Sequence, residues 1–523
     1  MNQDEFRQSM RMAISSSLGV KLPEIRILFY TDDPQKVHEN PHDPRGFGVF
    51  QLEEHLRVHS PAFAKVIPKV ISRNSVSTHN DQPLDKVLAC EMFDEIWFFG
   101  MHQKNKEPYS LKFPHAGGPH SELECVEVDL LESLMSRDDG NPGIGVMMAG
   151  DHANPPPDIT LPLSGDQFCP DGIDHQTFLS LGRAIGHKVP RAGLLRKWEG
   201  PPTHCCDDSF NTQVFLLGSD PAAGRFEIDG TPQKLDLQRF DPDGTPNPQG
   251  QPHLLFTGRN GQFIDVFPDH MHEGEVIIPG ELDCKRWPSC SGLQPQPRIL
   301  AEGTDKRDNS TRPVVAAYDG DAVNRGRVVA DSSWHHYFNL NLEPFPPDSA
   351  PGTAGDLIGQ FYGNLVVWLA PLSVRVEMGK LMLTWVATHP RMMEEAGSGP
   401  LQTGNAAYGI LLTVSSPCEI NELLAAVCPA ERRGKFESLN LLDNVISTRF
   451  PSRQILLGAI LEHHYYLVTC DKSDASTRVI DADVIEAGFN RAFELAAESA
   501  KIESMMSGVA RVKCKGMLRG QIH

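Results

Sequence analysis

Three short apolar runs constrain this chain most: Ile25–Tyr30, Phe93–Phe99 and Ile144–Gly150. Each has the length of a strand and is apolar on both sides of the chain, as strands covered on both faces require. Between them lie stretches of helical character. Residues 48–58 can form a helix and 64–71 a further extended segment. Ser121 stands as an N-cap before Glu122 and Glu124, with Leu123, Val126, Leu130 and Leu134 spaced for one helix face. Strand and helix alternating in this way predict an α/β fold, a doubly wound and mainly parallel sheet.

The remainder divides on composition. Residues 1–20 read as a short helix or a loose arm, and 21–345 as the α/β domain. A Pro-, Gly- and Asp-rich stretch over about 153–252 forms insertions above the sheet's active edge. The segment 343–353, Glu-Pro-Phe-Pro-Pro-Asp-Ser-Ala-Pro-Gly-Thr, marks a domain boundary. Beyond it, 354–523 predicts a mainly α-helical domain. Leu357–Leu369, Lys380–Thr388 and the long amphipathic stretch 482–507 are its helices, the last with Phe489, Phe493, Leu495 and Ala496 inward. At 523 residues, two or three domains are expected.

Charge and cysteine content narrow the class of partner. A net charge of −20 with no basic block argues against nucleic acid or an anionic membrane. No apolar run reaches the roughly 20 residues that span a bilayer. Eleven cysteines, none in a CxxC pair, and an N-terminus without a signal-peptide pattern point to a reducing cytoplasm. The expected partner is a small-molecule substrate, with the helical part as the expected surface for a homo-oligomer.

Site-capable residues concentrate just after Phe263–Phe267, which reads as a strand. Asp269, His270, His272, Glu273 and Glu275 fall within seven residues. Two further groups follow other strands: Asp151 and His152 after 144–150, and Asp331, His335 and His336 after 325–330. In a doubly wound sheet such strand ends converge on one crevice. If the chain stays extended, His270 and His272 share a side, which with His152 makes a zinc or iron site. Such a metal would lower the pKa of a bound water to about 7. Glu273, Asp269 and Asp151 are the candidate acids and bases. His335, His336, Arg191 and Trp198 are the candidate substrate contacts. Three readings stay open: a divalent metal site, a metal-free acid/base site, and a structural network that ties loops together.

Several segments resemble a known group. Gly-Arg-Val-Val at 326–329, followed by an extended run and a histidine, is similar to the closing strand of ThuA-like (trehalose-utilisation type) domains. Val366–Ala370 resembles the Trp-Ala helix that follows there, and His253-Leu254-Leu255 the His-Pro-Leu segment of those chains. The resemblance, over about 24–342, implies the class I glutamine-amidotransferase-like fold. In that fold Phe93–Gly100 leads to the central loop and Val146–His152 carries the nucleophile turn. Here Ala149 stands at the point where the amidotransferases place a cysteine, and no cysteine lies between Cys125 and Cys169. The departure argues against glutaminase activity and toward a hydrolase or lyase using histidine and carboxylate chemistry. The alternative is a non-catalytic binding or scaffold protein of the same fold.

Overall fold

The computed structural model describes residues 3–31, 48–73, 82–99, 102–103, 122–123, 125–137, 142–149, 195–204, 232–241, 245–259, 261–268, 271–277, 294–305, 310–395, 397–429, 451–471 and 480–498. In chain order the elements that matter begin with α1 (Gln3–Leu18), β1 (Glu24–Thr31), α2 (Phe50–His59), β2 (Lys65–Ser72), α3 (Leu84–Cys90) and β3 (Glu95–Phe99). There follow α4 (Cys125–Met135), β4 (Gly145–Ala149), β5 (Leu195–His204), β6 (Asp236–Leu237), β7 (Val266–Phe267) and β8 (Met271–Ile277). Then come β9 (Arg298–Asp305), β10 (Ser310–Tyr318) and β11 (Val328–Asp331). The last part holds α5 (Ala354–Leu369), α6 (Leu372–Thr388), α7 (Pro400–Leu411), α8 (Pro417–Val427), α9 (Ser452–Asp471) and α10 (482–498).

One mixed sheet of eight strands organises the described residues, in the order β2-β1-β3-β4-β11-β10-β9-β6. Its first five strands are parallel. Counted along the chain, their order is 2-1-3-4-5. The remaining three run antiparallel, because β9 and β10 form a ladder that returns directly into β11. The sheet is therefore α/β as expected, but more mixed than a mainly parallel reading.

Strand alternation sorts the core into two. Ile25, Ile27, Phe29, Trp97, Phe99, Met147, Ala149 and Val329 enter one core with α1, α2 and α5. Leu28, Tyr30, Ile96, Phe98, Val146, Met148, Val328 and Ala330 enter the other with α3 and α4. Both faces are thus covered, which explains why most positions of these strands are apolar on both sides. The first core continues without a break into α6, α7, α8, α9 and α10, so the helical region packs on the sheet through α5. In α10, Phe489 and Ala496 are buried and Phe493 and Leu495 pack beside them. No single described helix is long and apolar enough to cross a membrane.

Two local expectations need correction. Residues 122–123 form a short strand paired with 102–103, so the helix starts at Cys125 and not after Ser121. Its buried face is Glu127, Leu131, Leu134 and Met135, while Val126 is 61% exposed. The reason is Glu127, whose carboxylate accepts from Arg73 Nη1 at 2.7 and 2.8 Å and from the Leu84 amide at 2.6 Å. A buried ion pair rotates the helix away from its purely apolar stripe. The second correction concerns 263–267, of which only Val266–Phe267 is strand. It pairs with Gln233–Lys234, outside the main sheet.

Candidate functional site

Pairing aligns one row of residues across the carboxyl ends of the parallel strands: Ser72, Thr31, Phe99, Ala149 and Asp331, with Val315 of β10 beyond. Asp331 is the ionisable member at the β4–β11 step. Its side chain faces the α5 side, by the same parity as Val329. Immediately after it the backbone turns. The Ser332 amide bonds Val314 O at 2.8 Å, and the Ser333 amide donates to Asp331 Oδ1 at 3.0 Å. An aspartate that bonds the amide two residues on is the ordinary way such a turn is fixed.

The 3-10 turn Trp334–Tyr337 then folds back over the carboxylate. His336 Nδ1 lies 2.8 Å from Asp331 Oδ1, and Tyr337 donates its hydroxyl to Oδ2 at 2.9 Å. Tyr362 of α5 donates to the carbonyl of His336. Three donors therefore meet one acceptor-only carboxylate, which leaves His336 Nδ1 as the protonated ring nitrogen and points Nε2 away from Asp331. Burial raises the phenols of Tyr337 and Tyr362 well above their ordinary pKa, with the Asp331 charge adding to it. Both stay neutral donors.

Asp331 and His336 are 2% and 1% exposed. The imidazole expected to touch substrate instead lies under the surface, with its ring 5.0 Å from that of Phe267. Phe267 in turn packs against Phe361 and Phe256. What the arrangement does chemically is hold an imidazole in one tautomer and one orientation. What it does mechanically is anchor β7.

That anchor matters because the acidic and histidine cluster begins two residues after Phe267. On its far side, Val276 of β8 is buried in the opposite core, with Ala316 and Tyr318. Phe267 and Val276 thus belong to the cores on opposite faces of the sheet. Here β8 is a strand and not a free loop, paired antiparallel with β5. His272 partners Thr203, Gly274 partners Trp198 and Glu275 partners Lys197, with a register shift between His272 and Gly274. Glu273 falls at that irregularity, where the extra residues, 199–202, lie on the β5 side.

Of the residues expected to carry chemistry, the structure brings Trp198 beside the Glu273 segment and Asp331 beside His336. His335 belongs to the 3-10 turn at the end of β11. Asp151, His152, Arg191, Asp269 and His270 lie outside the described residues, so convergence with His272 is not visible here. Among the described residues, no group of three or more His, Cys, Asp or Glu is arranged to hold a metal. Tyr362 escaped sequence reading, since a buried tyrosine in an apolar run carries no signal of its role. Two of the segments that carry the resemblance do meet: the His253 ring lies 5.7 Å from Trp368 of α5. Comparison with family models, with curated proteins and with solved structures finds no significant match for this chain.

Proposed function

We propose that the chain is a hydrolase or lyase acting on a small polar molecule at the carboxyl edge of the parallel strands. In this reading Glu273, Asp269 and Asp151 supply acid and base. His270, His272 and His152 hold a divalent metal, zinc or iron, which suits an imidazole-rich donor set. Trp198, Arg191 and His335 contact substrate, and His336 supports the site from below. The observation that carries it is the placement of the residues that flank the cluster: Phe267 packs on the buried Asp331–His336 pair and Val276 lies in the opposite core.

The strand order 2-1-3-4-5 supports the same reading. Sheets wound in this order bind ligands outside the carboxyl ends of their strands. The order also agrees with the flavodoxin-like and class I amidotransferase-like arrangement that the ThuA-like resemblance implies, here without its cysteine. Glutaminase chemistry is not part of the proposal. The test is turnover of a panel of small esters, amides, phosphoesters and hydroxy acids by the full chain, alongside metal content. Wild-type turnover, its loss in Glu273→Gln, and lower metal stoichiometry in His270→Ala/His272→Ala are expected. Unchanged stoichiometry would remove those two histidines as ligands.

One observation favours a non-catalytic binding protein instead: the Asp331–His336 pair is wholly buried, with the Asp331 carboxylate bonded to three donors as in a structural knot. That reading expects no turnover with any member of the panel.

A further inference from the structure

Away from the carboxyl edge, two adjoining cavities open beneath the helical region, sharing Ser60 and Arg259 in their walls. One is bounded by Arg11 of α1, Thr413 and Arg259, the other by Asn364, Glu419 and Arg259. They share no residue with the Asp331–His336 pair.

The two arginines are the unusual part. Among the described residues neither guanidinium takes part in any of the ion pairs or side-chain hydrogen bonds, and Arg11 Nη1 is buried without a partner. Arg259 is nonetheless held firmly, because its own amide donates to Gln360 Oε1 at 2.7 Å, and Gln360 is fixed by Asp356 at 2.8 Å. Two partly buried guanidinium groups without a bonded counter-ion are costly, and an oxyanion is the group their donor forks fit. Glu419 attracts both guanidinium groups through space but forms an ion pair with neither, and its Oε1 accepts the Ala62 amide at 3.0 Å. Burial also raises its pKa to about 7, which removes part of its negative charge near neutrality.

We infer that Arg11 and Arg259 form a binding site for a small oxyanion, a phosphate or carboxylate group, at the junction of α1 with the helical region. Ser60 and Thr413 line the same space, but their hydroxyls already donate to the carbonyls of Leu56 and Ile410, so the two guanidinium groups supply the donors. Bound there, the anion would tie α1 to the segment after Phe256.

Titration calorimetry of the full chain with inorganic phosphate, and separately with acetate, at constant ionic strength tests this. Saturable binding of either anion is expected, with a rise in melting temperature that an equal ionic strength of chloride does not produce. Binding of both identifies a general oxyanion site, and binding of phosphate alone a phosphate site. Arg11→Gln, on the partly exposed face of α1, should weaken binding at least tenfold and cancel the melting shift; Arg259→Gln should do the same where it folds. Absence of binding by wild type, an equal shift with chloride, or undiminished affinity in Arg11→Gln would each overturn the inference.

Discussion

His55 and His59 show how single residues set the pH range of this fold. Their rings stack at 5.9 Å, and their Nε2 atoms reach the carbonyls of Phe345 and Pro347 at 2.9 and 3.0 Å. A carbonyl only accepts, so each Nε2 carries the proton and each Nδ1, buried without a partner, would have to take the second one. Burial accordingly lowers their pKa values to about 4 and about 3, with the neighbouring ring adding to the effect at His59. Depressed histidines contribute stability above pH 6.5 that is lost as pH falls toward 4, about 3 kcal/mol for His55 alone. Urea midpoints measured from pH 7.5 to 4.5 should fall, and the fall should shrink in His55→Gln/His59→Gln. Glu95 acts in the opposite sense. It is fully buried, accepts from Trp97 Nε1 at 2.8 Å, and burial raises its pKa well above the ordinary value. Its contribution is present below about pH 4.5 and declines as pH rises. Glu95→Gln should therefore flatten the alkaline side of the same profile; a slope identical to wild type would contradict the assignment. At Asp331, replacement by Ala strands three donors, each worth about 1–3 kcal/mol, so unfolding free energy should drop by about 3 kcal/mol or more.

Among the elements, α5 is the one on which the others are built. Its glycines let α2 approach closely. A Cβ at Gly359 would lie 2.3 Å from His59 Nε2, and one at Gly363 would lie 2.3 Å from the backbone oxygen of His59. Because backbone yields less than a side chain, Gly363→Ala should cost about 1–3 kcal/mol and Gly359→Ala less, as read from denaturant midpoints. The other face of α5 is fixed by Asn364, which donates to Leu255 O and Thr257 O at 3.0 Å and accepts from Ser416 Oγ at 2.7 Å. The central parallel strands were legible in the sequence because burial on both faces leaves short runs that are mostly apolar. Leu357–Leu369 was legible as a helix for the same reason. The face of α4 was not, since one buried Arg73–Glu127 pair overrides the apolar count. The β9–β10 ladder was missed because its polar edges, with Glu302 and Arg312, lack the pattern of a covered strand.

At the scale of the molecule, a buried charge network joins sheet and helices. Arg327, just before β11, bonds Asp319 at 3.0 Å and Glu422 of α8 at 2.5 Å, and stacks 4.8 Å above Trp368 of α5. Arg375 of α6 meets the same Glu422 at 3.2 Å and also Asp321. Glu422→Ala leaves two guanidinium groups short of a counter-charge in the interior and should cost about 3–5 kcal/mol. Loss of under 1 kcal/mol in a thermal or chemical melt would argue that the helices are held by apolar packing alone. Such a network cannot be read from sequence, because its members are 8, 48 and 95 positions away from Arg327. The site is legible to a different degree. Composition located the 269–275 cluster and the end of β11, whereas the break in the β5–β8 pairing, the Trp198–Gly274 pairing and the burial of His336 depend on tertiary structure. The most direct test of the central claim is turnover of the substrate panel by wild type and Glu273→Gln, each before and after alkylation of its thiols. The account predicts a wild-type activity that survives alkylation and falls about 100-fold or more in Glu273→Gln, as loss of a general acid or base does. Activity that vanishes with the thiols, or persists in full in Glu273→Gln, would contradict it.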